Sequence, residues 1–238
     1  MNSLKGKKAI ITGGSRGLGK AVALALAAEG VHIGITGQNE ETLRAAVSEL
    51  RGQGVEAAYA AFNVADEDAV NRGVKQLADA LGGVDILVNN AGVGQFGTLL
   101  EMSSVDFKKV FDVNFYGVYH VAKALHPYLK ASGQGDVVNV ASTAGLKGGG
   151  GMSAYAASKA AVISLSQSMM AEWRKEDIRV ITLTPSTVAT DMSIQLKLTD
   201  GNPEKVLQPE DFAQWVVDIL KMNRRALIAN GSIFSTNP

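Results

Sequence analysis

Short runs rich in Val and Ile alternate along the chain with longer stretches whose apolar residues recur at helical spacing. Strands are predicted over Lys8–Thr12, Val31–Thr36, Ala57–Phe62, Asp85–Asn89, Asp136–Val140, Arg179–Thr184 and Ala226–Ala229. Helices are predicted over Gly19–Glu29, Glu40–Gln53, Glu67–Leu81, Val105–Lys130, Ala154–Lys175 and Pro209–Met222. Asn39 and Asp66 are the expected N-caps of the second and third helices, each followed by acids in the first turn. Lys8–Thr12 and Asp85–Asn89 read as continuous apolar runs, the mark of strands buried on both faces. This pattern predicts an α/β fold, a doubly wound parallel sheet of about seven strands with helices on both faces. No Pro/Gly/Ser-rich linker or repeat divides the sequence, and Gly148–Gly151 is short enough to be a loop, so residues 1–238 are expected to form a single domain.

Composition narrows the function. A hydrophobic fraction of 46% is ample for a large core, and 23 basic residues balance 23 acidic ones. That balance argues against nucleic-acid and membrane-surface binding, which need basic patches. With no cysteine, disulfides and thiolate chemistry are excluded. His32, His120 and His126 lie too far apart to have metal-ligand spacing, so no metal is expected. The longest apolar run, Ala21 to Ala28, falls well short of the roughly 18 residues a span requires. The N-terminus has no leader-like stretch, and the expected location is cytoplasmic.

The first strand ends in Thr12-Gly13-Gly14-Ser15-Arg16-Gly17-Leu18-Gly19, and a helix follows. Glycines there permit a tight turn and a close backbone approach to a pyrophosphate, while the helix N-terminus offers unpaired N–H groups. In this strand–turn–helix context the motif predicts a Rossmann-like dinucleotide site. Gly13, Ser15, Arg16, Gly17, Leu18 and Gly19 are its expected contacts. After the second strand the sequence reads Gly37-Gln38-Asn39, without the acid that would hold a ribose 2′-hydroxyl. Arg16 could pair with a 2′-phosphate, or could be a solvated surface residue; Glu40 and Glu41 read as first-turn helix residues. NADPH is therefore expected over NADH, with Gln38 and Asn39 near the adenosine ribose.

At this point the chain resembles the short-chain dehydrogenase/reductase family over nearly its whole length, most of all the bacterial 3-oxoacyl-(acyl carrier protein) reductases. The residues that carry the likeness are the glycine turn, Asn89-Asn90-Ala91-Gly92 after the fourth strand, Asn114, Ser142, and the pair Tyr155 and Lys159. The resemblance implies that Asn114, Ser142, Tyr155 and Lys159 are catalytic. It also implies cofactor contacts from Asn63, Val64, Asn90, Ala91, Gly92, Tyr155, Lys159, Pro185, Val188 and Thr190.

The residues themselves support those roles. Tyr155 and Lys159 share one helix face. An ammonium beside a phenol is expected to lower its pKa from about 10. Carbonyl reduction needs an acid beside the oxygen, and alcohol oxidation needs a base; one tyrosine serves both. Ser142 would hold the same oxygen. Alone, each element is commonplace: a Tyr-x-x-x-Lys pair is often a packed tyrosine beside a solvated lysine. Ser142 has no histidine base or nucleophile-elbow pattern, which argues against a serine hydrolase.

Two positions depart from the family pattern: Asn63 stands where an aspartate is usual, and Ser186 follows Pro185 where glycine is common. An amide oxygen at Asn63 can still accept from adenine. The double-glycine tail of such reductases has no counterpart in Ser235-Thr236-Asn237-Pro238, which leaves tetramer geometry open. Substrate choice is expected from Gly94–Thr98, Ala144–Met152 and Met192–Leu207, the last an apolar lid or an ordinary surface helix. A carrier-protein partner would need a basic patch, for which Lys123, Lys130, Arg174 and Lys175 are candidates. The readings left open are a 3-oxoacyl thioester reductase, a reductase of small ketones or diketones, an alcohol or polyol dehydrogenase, and a non-catalytic NADP(H) sensor. A homo-oligomer, tetramer or dimer, is expected through Val105–Lys130 and Ala154–Lys175.

Overall fold

The computed structural model describes residues 2–236. Seven parallel strands form one sheet: β1 (Lys8–Thr12), β2 (His32–Gly37), β3 (Ala57–Ala61), β4 (Ile86–Asn89), β5 (Asp136–Val140), β6 (Arg179–Pro185) and β7 (Asn230–Ile233). Their order is β3-β2-β1-β4-β5-β6-β7, so the winding reverses between β1 and β4. In sheets of this kind ligands bind at that reversal, beyond the carboxyl ends of the strands.

Among the described residues there are eight α-helices, α1 (Gly17–Ala28), α2 (Glu40–Arg51), α3 (Glu67–Leu81), α4 (Ser104–Phe111), α5 (Gly117–Ala131), α6 (Ser153–Trp173), α7 (Asp191–Gln195) and α8 (Pro209–Lys221); α1, α2 and α8 cover one face and α3, α5 and α6 the other. Successive strand side chains point to opposite faces. Ala9, Ile11, Ile86, Val88, Ile181 and Leu183 therefore join the core under α1, α2 and α8, around Leu26, Leu43 and Phe212. Ile10, Leu87, Val137 and Val180 join the core under α3, α5 and α6, around Leu77, Leu125 and Met169. The predicted caps form: Asn39 accepts from Thr42 N and Asp66 from Ala69 N.

Two elements differ from expectation. The helix predicted over Val105–Lys130 is interrupted by a π-helical turn at Asp112–Tyr116, between α4 and α5. The turn admits an extra residue where Asn114 faces the site, a local bulge that apolar periodicity does not register. The last strand lies at Asn230–Ile233 rather than Ala226–Ala229. Leu227 and Ile228 pack on the core ahead of it, and as an edge strand half open to solvent β7 needs no apolar run. Gly231 in β7 lies under Trp215, whose ring a Cβ would meet at 2.6 Å. Asn237 and Pro238, the end of the C-terminal stretch, lie outside the described residues.

No helix among the described residues is long and apolar enough to cross a membrane, and none of their His, Asp or Glu residues cluster as metal ligands.

Candidate active site

The loops after β1 and β4 meet at the winding reversal. Gly13 and Gly17 have φ of 65° and 53°, a left-handed geometry that side chains disfavour. A Cβ on Gly19 would overlap the Gly13 carbonyl and the Asn90 amide. Asn90 holds this arrangement from β4, its Nδ2 donating to the Thr12 carbonyl at 3.0 Å and to that of Gly13 at 3.3 Å. The backbone N–H groups of Asn90 and Ala91 both donate to Thr12 Oγ1 at 2.9 Å.

The N-terminus of α1 is unlike those of α2 and α3. It has no side-chain cap and no acid in its first turn, whereas the other two have both. Its first N–H groups and the positive end of its dipole are left for an anion. Arg16 precedes this turn, exposed, and its guanidinium has no partner among the described residues. Ser15 reaches toward Gly37, and Gln38 and Asn39 are exposed at the end of β2. Glu40 and Glu41 lie in the first turn of α2, as the sequence implied.

Asn63 Oδ1 accepts from Ala65 N at 3.0 Å, so one of its lone pairs is engaged and the other remains. Beside it, Val64 is buried against Gly117 and its carbonyl contacts His120 Nδ1 at 3.1 Å. The methyl group of Thr190 would be 3.6 Å from a Cβ on Gly17, so the segment after β6 closes over the glycine turn. Thr190 also caps α7 in a capping box with Ser193. Pro185 ends β6, and Val188 is buried with its carbonyl accepting from Ser193 Oγ at 2.6 Å.

Asn114 and Lys159 flank Gly92, Tyr155 lies beside Lys159, and Ser142 meets the Tyr155 hydroxyl. Asn114 is fully buried; its Oδ1 accepts from Val93 N at 2.8 Å. Its Nδ2 donates to Val93 O at 3.0 Å and Ser158 Oγ at 3.1 Å. A Cβ on Gly92 would lie 3.3 Å from Asn114 Oδ1 and 3.6 Å from Lys159 Nζ. Lys159, 5% exposed, donates to Val140 O at 2.8 Å, and Nζ is 5.9 Å from the Tyr155 ring centroid. Gly145, just beyond Ser142, lets that loop pack directly on the backbone of α6, where a Cβ would meet Lys159 C at 2.7 Å.

The electrostatics correct one expectation. Burial raises the Tyr155 phenol above its usual 10, and the Ser142 hydroxyl pulls it partly back. Burial lowers the Lys159 ammonium to about 8. The lysine was expected to draw the phenol down. Instead burial of both groups dominates and favours the neutral form of each.

The three segments expected to choose substrate also converge. Gly97 N donates to Gly151 O at 2.8 Å, and Leu196 and Met192 lie on Gly94. Phe96 stacks edge-on against Tyr155 at 5.6 Å. The candidate basic patch does not form beside them. Lys130, Arg174 and Lys175 sit near the far end of α6, about 30 Å along the helix from Tyr155. Lys130 is paired with Glu176, and Lys123 with Glu67.

The sequence reading missed Ser158 and Asn139. Each makes a buried side-chain hydrogen bond, to Asn114 and Ser166 respectively, with no motif around it to signal the contact.

Residues 7–201 match the model of the short chain dehydrogenase family. The chain belongs to that family. It is accordingly an oxidoreductase acting between CH–OH and C=O groups. The chain is 33% identical to gluconate 5-dehydrogenase of Gluconobacter oxydans over 90% of its own length and 80% of that protein's. It is 36% identical to a 3-oxoacyl-[acyl-carrier-protein] reductase of Synechocystis, covering 87% and 83%. Among solved structures, L-sorbose reductase of Gluconobacter frateurii, complexed with NADPH and L-sorbose, superposes with a TM-score of 0.91 at 27% identity, covering 98% and 97%.

Proposed function

We propose that the protein is an NADPH-dependent carbonyl reductase whose substrate is a 3-oxoacyl thioester, with residues 1–238 working as one nicotinamide-binding domain. The observation that supports the reductase reading is the chain of contacts from Asn114 and Lys159 at Gly92, through Lys159 beside the Tyr155 ring, to the Ser142 hydroxyl at Tyr155.

The residues present fit the cofactor. Gly13 through Gly19 and the uncapped α1 N-terminus would take the pyrophosphate, with Thr190 closing over it. Arg16, exposed and without a partner among the described residues, would take the 2′-phosphate, with no acid at Gln38-Asn39 to oppose it. Asn63 and Val64 would face the adenine, and Pro185 and Val188 the nicotinamide. NADPH supplies the hydride. Tyr155, kept protonated by burial, is suited to give a proton to the carbonyl oxygen. Ser142 would hold that oxygen beside it, and Lys159 would orient the ribose and pass protons on from the Asn114 side.

The acyl substrate is favoured by Phe96, Met192 and Leu196 around the entrance, an apolar set suited to an alkyl chain. The likeness to the gluconate and sorbose enzymes favours a sugar ketone as the second reading. Exposed Val105 on α4, Tyr116 in the π turn and Tyr119 on α5 support a homo-oligomer. NADPH oxidation by the purified protein, with a 3-oxoacyl thioester, diacetyl and a sugar ketone in turn and NADH alongside, separates the readings. Preference for the thioester with NADPH is expected. Turnover of the sugar ketone alone would replace the acyl reading, and silence on all three would defeat the reductase reading.

A further inference from the structure

The sheet-facing side of α6 is unusually polar for a buried helix face. Tyr155, Ser158, Lys159, Val162, Ser166 and Met169 follow one another at helical spacing, and Ser158, Lys159 and Ser166 are buried among apolar neighbours. Opposite Ser166 on β5 stands Asn139, with no exposed surface. Its Nδ2 donates to Ser166 Oγ at 2.8 Å, and its Oδ1 accepts from Asn89 Nδ2 at 2.8 Å. Ser166 Oγ in turn donates to Val162 O at 2.7 Å.

Asn139 thus joins three elements that each carry part of the site. On β4, Asn89 is followed by Asn90, which braces the glycine turn. On β5, the next residue is Val140, whose carbonyl receives Lys159, and the strand leads to Ser142. On α6, the stripe through Ser166 runs back to Lys159 and Tyr155.

A buried amide is costly unless its donors and acceptor are met, and a valine like its strand neighbours would suit the layer's packing. Apolar packing tolerates small shifts of a helix along a strand, whereas a side-chain hydrogen bond fixes direction and length. The chemistry needs that fixity, because Ser142 and Tyr155 must converge on one oxygen and a displacement near 1 Å can cost about a hundredfold.

We propose that Asn139, acting through Ser166, is a positioning residue that sets the register of α6 on β5 and so holds Tyr155 and Lys159 opposite Ser142. The proposal rests on the reading of Tyr155 and Ser142 as the pair that serves the carbonyl oxygen.

The test compares Ser166→Ala, which removes the acceptor, with Ser166→Thr, which keeps it. Ser166→Cys, a near-isostere and weaker acceptor, takes the place of Ser166→Ala if that variant is insoluble. In carbonyl reduction the loss of the acceptor lowers kcat about tenfold or more, with KM and the Kd for NADPH within about twofold, and threonine restores the rate. The Tyr155 phenol is titrated independently by NMR of ring-labelled tyrosine, with Tyr155→Phe assigning its signal. In Ser166→Ala its midpoint falls toward 10 as the ring loses its fixed buried seat, and in Ser166→Thr it returns. An unchanged kcat and an unchanged titration, with only a lower melting temperature, would overturn the proposal. If the wild-type protein reduces no carbonyl, the reductase reading fails by itself. The titration then still decides the positioning role: a shift upholds it and no shift overturns it.

Discussion

The glycine turn with its polar quartet and the segment from Met192 to Leu207 lie side by side, yet they are built on opposite principles. The first is bound into the sheet. Asn90 ties β4 to the turn after β1, Asn114 is buried with both of its amide N–H groups bonded and its oxygen accepting from Val93, and Lys159 reaches the β5 backbone. The second is a short helix and a loop, with Met192, Ile194 and Leu198 exposed and Lys197 at a φ of 55°. It is held at its ends and at one side: Leu196 and Met192 lie on Gly94, Ser193 bonds Val188, Leu207 pairs with Val188 and Ala189, and Leu207 N donates to Ser235. Groups that move a hydride and a proton need fixed geometry, whereas a segment that admits a substrate has to open. On the proposed reading, chemistry is set in the sheet-bound groups and selectivity hangs on the rim.

The sharpest way to break this contrast is at Lys159. Lys159→Met is expected to lower turnover by about 10²–10⁴-fold while raising the melting temperature. The gain arises because burial holds the ammonium at about 8 against an ordinary 10.5, a cost of about 3 kcal/mol at neutral pH, offset in part by the bond to Val140. Below about 8 both folded and unfolded chains carry the proton and the cost is complete. Between about 8 and 10.5 the unfolded chain binds more protons, so wild-type stability rises with pH and the gap to the variant closes. Calorimetry of both proteins at neutral and alkaline pH checks the sign.

Next in size is Gly19→Ala. Its methyl group overlaps Gly13 and Asn90 and forces the turn apart. The expected loss is about 1–3 kcal/mol of stability, with NADPH binding weakened about tenfold or more, read by denaturant melts and titration calorimetry. The pH profile should show a comparable effect: kcat/KM for reduction falls about tenfold per unit above about 8 as free-enzyme Lys159 loses its proton. A flat profile through that range would remove Lys159 from the rate. The smallest effect belongs to the rim. Leu196→Ala is expected to raise KM for a long-chain thioester about fivefold and leave a small ketone unaffected, as steady-state kinetics would show.

The same division explains what the sequence made legible. Continuous apolar strands, caps at Asn39 and Asp66, and glycines at 13, 17 and 19 answer to local rules, and all stand where the pattern put them. Asn114 was visible as a residue, but the π turn that presents it was not, because a bulge leaves helical periodicity intact on either side. β7 slipped because an exposed edge strand has little apolar signal. Asn139 and Ser166 went unseen since their pairing spans separate elements. The Tyr155 shift was misjudged for a related reason: spacing shows that a lysine is near, whereas burial belongs to the whole fold.

The central claim is that a protonated Tyr155, carried on α6, serves the carbonyl oxygen. Its most direct test is turnover of Tyr155→Phe with NADPH and the preferred carbonyl substrate, beside a measurement of NADPH affinity. Turnover reduced about a thousandfold with affinity nearly unchanged is the predicted result. Turnover equal to that of the wild-type protein would contradict the account.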